Sequence, residues 1–143
     1  MITAFILILI AGFPISSQAA ARDCPKECID VEGHPQQERC AAKVLSVAEE
    51  ELQKYLTSTK NSDEHYPEIG KAIDLAQQQW LEFRKATCRA VSETWTTGTG
   101  KSLATYACEI DLTRRWTHTI WEYFSPGMEG GKGDLPQPKA GGE

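Results

Sequence analysis

The sequence predicts an all-α fold: a small, disulfide-bonded antiparallel bundle of three main helices. Three observations carry that prediction. Apolar residues recur at alternating steps of four and three through three separate stretches, the period of a single helix face. No stretch of comparable length alternates with period two. Five cysteines fall within only 143 residues, and two of them sit symmetrically about a glycine-containing turn.

The first helix is read from Ala41, Leu45, Ala48, Leu52 and Tyr55. These positions share one face, and Pro35 with Glu38 suits its first turn. The second helix carries Ile69, Ile73, Ala76, Trp80, Phe83, Thr87 and Ala90, and opens with Pro67 and Glu68. The third carries Leu103, Tyr106, Ile110, Thr113, Thr117, Ile120 and Phe124. Lys101 and Ser102 stand at its start, with Ser102 expected as the N-cap.

Two connections separate these helices. The first, Thr57 to Tyr66 (TSTKNSDEHY), reads as a solvated polar turn. The second, Thr94 to Lys101 (TWTTGTGK), combines an aromatic residue with threonines and glycines. Gly98 and Gly100 are expected to supply positive φ angles for a tight reversal. Cys88 and Cys108 each lie ten residues from Gly98. In an antiparallel helix pair, residues equidistant from the turn lie opposite each other, so these two are expected to bond. Closing such a loop contributes about 3 kcal/mol in the chain-entropy description. Cys24, Cys28 and Cys40 then supply one more pair and one odd thiol. Cys28 with Cys40 is the favoured pair, tying the leader segment to the second turn of the first helix, while the spacing leaves Cys24 open as an alternative partner of Cys40.

Both ends of the chain read as separate from this domain. Residues 1–21 contain no charged side chain, and the apolar run AFILILIAGF is too short to span a bilayer. It is followed by Pro14 and the small-residue stretch SSQAAA, the pattern of an export signal cleaved after Ala21 or Ala19, although no Lys or Arg precedes the apolar core. Asp23 stands before Cys24, where a lipoprotein signal requires a small residue. Residues 125–143 are rich in Gly and Pro without apolar periodicity, and are expected to form a disordered tail. The working domain is therefore 22–124, exported to the periplasm or beyond, with no integral membrane segment once the signal is removed.

Charge narrows the function. The chain has 15 basic and 20 acidic residues and a net charge of −5. Trimming both ends leaves the domain acidic, which argues against a nucleic-acid partner and for a basic one. TGTGKS at 97–102 resembles the end of a phosphate-binding loop, but Trp95 occupies the place of that motif's first glycine and no apolar strand precedes it. No cofactor is expected. Zinc bound by Cys24, Cys28, Cys40 and His34 fits by residue type, yet an oxidising compartment favours disulfides and the spacing matches no standard finger. Cys24 and Cys28 have three residues between them, unlike the two of thiol oxidoreductases. His34, His65 and His118 are scattered, no nucleophile motif is present, and the run Glu49, Glu50, Glu51 reads as a solvated helix face. An enzyme is not expected. Arg84 and Arg114 flank the apolar stripes, where a guanidinium needs acceptors or an exposed tip.

Several of these residues form a family-like pattern. Cys28 is followed by QQERC at 36–40, then Leu52 and Tyr55, then AQQQWLEFRKATC at 76–88, then a glycine-containing loop and LATYACEIDLTRRW at 103–116. This resembles the lysozyme inhibitor LprI-like N-terminal domain family over essentially the whole core. The most specific part joins Gln77, Trp80, Arg84 and Cys88 to Cys108, Thr113 and Arg114. Lys85 departs from the pattern, since an acid usually follows the helix-two arginine there, so any ion pair that acid makes is absent or replaced.

The resemblance implies a bacterial envelope protein with a disulfide-bonded helical fold, related to inhibitors of lysozyme. Lysozymes are typically basic and carry a carboxylate pair in a cleft, so an acidic protein would be steered toward them. The expected contact loop is Trp95 to Ser102. Lys101 is suited to meet a catalytic carboxylate, Thr99 and Ser102 to donate hydrogen bonds, and Trp95 to anchor the rim. The alternative is a non-inhibitory periplasmic protein-interaction module on the same scaffold.

Overall fold

The computed structural model describes residues 24–62, 67–95, 98, 100–124 and 135–138. The expected signal, 1–21, and Thr99 lie outside the described residues, as does most of the expected tail. A short 3-10 turn at Lys26–Cys28 precedes three helices: α1 His34–Ser62, α2 Pro67–Glu93 and α3 Gly100–Phe124. No strand occurs among the described residues. The predicted all-α bundle with two disulfides is thus the observed fold.

The chain runs up, down and up, so that α2 is antiparallel to both neighbours and α1 lies parallel to α3. The parallel pair forms the main seam. Leu52, Tyr55, Leu56, Ile73, Trp80 and Ile120 bury together, with Leu112, Trp116, Trp121 and Phe124 against them. A smaller cluster of Cys28, Ala41 and Leu103, bordered by Cys24, Cys40, Val44 and Tyr106, closes the other end. Three threonines sit fully inside this packing. Their hydroxyls are satisfied within their own helices, Thr59 donating to Tyr55 O at 2.8 Å, Thr113 to Glu109 O at 2.6 Å and Thr117 to Thr113 O at 2.9 Å. This is how polar residues occupy positions of an otherwise apolar stripe.

Cys28 is bonded to Cys40 and Cys88 to Cys108, with Cα separations of 5.8 and 5.5 Å, and Cys24 is free. The first bridge ties the 3-10 turn to α1. The second crosses from α2 to α3 near their shared reversal.

Several local expectations require correction. The α1 helix continues through TSTKNS to Ser62, where a turn was expected. Thr59 is buried in the core and Lys60 pairs with Asp74 of α2, so tertiary contacts extend the helix past its apolar stripe. Gly98 has the expected positive φ, 105°, but Gly100 does not. Gly100 is needed for a different reason: a Cβ there would meet the Trp95 ring at 2.6 Å. Because α3 begins at Gly100, Ser102 lies inside its first turn rather than capping it. On α2, Ile69 and Phe83 belong to the predicted stripe yet are 40% and 57% exposed. That helix packs chiefly on α3 and barely on α1, so one edge of its stripe is left uncovered.

Candidate functional site

Most of the residues singled out in the sequence gather at two places, and Arg114 lies apart from both. At the centre of the bundle, the Arg84 guanidinium of α2 lies 2.9 Å from a Glu49 oxygen of α1 and donates to Thr113 Oγ1 of α3 at 2.8 Å. It also sits 5.0 Å over the Trp80 ring. Trp80 stacks on Trp116 with ring centroids 5.7 Å apart and planes 8° from parallel. The Trp116 indole N–H donates to Gln77 Oε1 at 2.6 Å. One continuous assembly therefore runs through Gln77, Trp116, Trp80, Arg84, Thr113 and Glu49 and touches all three helices. Glu109 borders it. Burial pushes this carboxyl above its ordinary value, opposed by Arg84 and reinforced by the like charge of Glu49.

Glu49 is the correction here. Read in the sequence as part of a solvated acidic face, it supplies the carboxylate that Arg84 requires. Its signal was its place one residue beyond Ala48, at the border of the buried stripe. Lys85 is exposed, and the counter-charge for Arg84 comes from another helix instead of from the following residue. Arg114 likewise finds an acceptor, Glu27 Oε1 at 2.5 Å, which clips the 3-10 turn to α3. Burial pushes the Glu27 carboxyl up. The hydrogen bond from Arg114, a backbone hydrogen bond and the charges of Arg114 and Lys26 outweigh this and hold it below its usual value.

The second place is the α2–α3 corner. Trp95 is half-buried with its ring across Gly100. Lys101 Nζ is 3.2 Å from Glu93 Oε1, and both side chains are well exposed. Such an exposed pair is weak and readily exchanged for another partner. Ser102 turns inward and its hydroxyl donates to Glu38 of α1. Trp95 and Lys101 are thus brought to one corner, while Ser102, half-buried, links α3 to α1.

These two places differ in what they can do. The central assembly links side chains of all three helices to one another, which suits a positioning framework. The corner presents an ammonium group and an aromatic edge to solvent. Among the described residues, no group of three metal-ligating side chains is gathered, and no helix is long and apolar enough to cross a membrane. The family model for lysozyme inhibitor LprI matches residues 24–119, a span that includes both disulfides, the central assembly and the corner. No curated protein and no solved structure gives a significant match.

Proposed function

The chain belongs to the lysozyme inhibitor LprI family, and from that premise we propose that it is an exported, non-catalytic protein that binds lysozyme and blocks its cleft. The family match over residues 24–119, most of the helical core, is the observation that carries this reading. Net charge supports it: at −5, the chain favours encounter with a basic enzyme.

The α2–α3 corner is the contact surface in this reading. Lys101 exchanges its exposed Glu93 partner for a carboxylate of the enzyme cleft, and Trp95 packs against the cleft rim. The Cys88–Cys108 bond and the inward Ser102 contact hold the corner in shape before encounter, which lowers the ordering cost of association. Ser102 then acts by fixing α3 against α1. Thr99, in the same loop, is assigned a hydrogen bond to the enzyme.

The proposal is tested by mixing the oxidised protein with a hen-type lysozyme and following complex formation by analytical gel filtration at low and moderate salt. A stoichiometric complex that weakens with salt and is lost in Lys101→Glu is expected. Co-elution unaffected by Lys101→Glu removes the corner from the contact, and the absence of any complex removes the proposal.

A further inference from the structure

The short stretch Leu135-Pro136-Gln137-Pro138 lies beyond the residues that the family model matches, yet it is docked on the bundle. Leu135 packs against the main core cluster and borders an open trough lined by Glu50, Gln53, Lys54, Thr57 and Ser58 of α1. Two aromatic donors meet two successive carbonyls of the stretch. The Trp121 indole N–H donates to Leu135 O at 3.3 Å, and the Tyr55 hydroxyl donates to Pro136 O at 2.5 Å. The Gln137 carboxamide meets His118 Nε2 at 3.1 Å, and Pro138 is buried. Burial, with Glu51 nearby, pushes the Tyr55 phenol up, so it remains a protonated donor through the neutral range.

This arrangement has the chemistry of extended-peptide recognition. Proline has no N–H and a fixed φ, so a Leu-Pro-x-Pro segment offers free carbonyls and rigid apolar rings at little entropic cost. Aromatic side chains carrying a hydroxyl or an indole N–H match that pattern, giving apolar contact from the ring and a hydrogen bond from the edge. The groove uses Tyr55 of α1 with His118 and Trp121 of α3, on the flank of α3 turned away from Trp116 and α2. Along α3 it lies about 25 Å from Lys101, so both surfaces can be engaged together.

We propose that this α1–α3 groove is a binding site for an extended Leu-Pro-x-Pro peptide, occupied in the resting protein by the chain's own residues 135–138. Ten residues, 125–134, join α3 to the docked stretch. A tether of that length gives a local concentration on the order of millimolar, so the chain's own segment competes with any similar segment of a partner. A groove that binds such a peptide with a dissociation constant of about 0.1 mM would therefore show an apparent affinity roughly tenfold weaker in the intact chain.

The test uses full-length oxidised protein labelled with 15N, with the Trp121 indole resonance assigned through Trp121→Phe. Leu135→Asp is expected to release the segment and shift that resonance. Adding a peptide of residues 133–140 (GDLPQPKA) to the Leu135→Asp protein is expected to return it toward its wild-type position, with at least fivefold weaker binding in the further variant Tyr55→Phe. A scrambled peptide should have no effect. An unmoved indole resonance in Leu135→Asp, no return on adding peptide to several millimolar, or an equal response to the scrambled peptide would each overturn the proposal.

Discussion

Replacing Arg84 with alanine removes a side chain that joins all three helices, and its cost follows from its contacts. The side chain is only 15% exposed, so its hydrogen bond to Thr113 is a sheltered, charge-assisted one, contributing about 1.5 kcal/mol. The Glu49 partner is 45% exposed and regains water when Arg84 is lost, which limits that pair to about 0.5 kcal/mol. The cation over Trp80 adds about 0.5–1 kcal/mol, and the aliphatic stem covering the ring adds a packing contribution. Thr113 keeps its own donor bond to Glu109 O, so no buried hydroxyl is orphaned. The expected loss is about 3 kcal/mol, and near 4–8 °C per kcal/mol for a domain of this size the midpoint falls by roughly 15 °C. Arg84→Met retains the stem over Trp80 but not the hydrogen bond, ion pair or cation, and should lose about 2.5 kcal/mol. Urea and thermal unfolding of the oxidised protein, followed by circular dichroism, measure both. An Arg84→Ala loss below about 0.5 kcal/mol would refute the reasoning that this assembly holds the helices in register.

Removing the interhelical bond with Cys88→Ala and Cys108→Ala together opens a loop closed across a sequence separation of 20 and should cost about 3 kcal/mol, read by the same unfolding curves. Peptide mapping of the unreduced wild type should recover Cys88 with Cys108 and Cys28 with Cys40, leaving Cys24 alkylatable. The folded Glu27 carboxyl is held below its ordinary value, so the stability it contributes is present above the unfolded carboxylate range and is lost as pH falls through the folded value. Glu27→Gln should therefore lower stability at pH 7, by a modest amount because the pair is partly exposed, and converge with the wild type in acid, which flattens the acid limb of a stability-against-pH profile; an unchanged acid limb would contradict the assignment.

The helices were legible because each has a buried face long enough to print its period on the sequence. What that period missed is instructive. The extension of α1 to Ser62 depends on Thr59 being buried in the core and Lys60 finding a partner on α2, and local composition there reads as a turn. Phe83 followed the helical period and still faces solvent, because a stripe states which residues share a face but not whether a neighbouring helix covers all of it. The Cys88–Cys108 bond could be read from symmetry about Gly98, since that argument needs only the hairpin.

Site residues followed the same division. Gln77, Trp80, Arg84 and Thr113 were singled out by pattern, but their mutual contacts and the completing residues Glu49 and Trp116 come from how the helices are rotated against one another. Residues 135–138 were hidden in a Gly/Pro-rich tail. Composition of that kind speaks against helix and strand, and says nothing about whether an extended segment can lie in a groove.

The proposed inhibition is tested most directly by the rate at which lysozyme clears a suspension of cell-wall material as the oxidised protein is titrated in. The account predicts a rate that falls with added protein toward a stoichiometric end point, with Lys101→Glu shifting the curve at least tenfold to higher concentration, equivalent to about 1.4 kcal/mol of lost binding. Undiminished clearing at a large molar excess of folded, oxidised protein would contradict it.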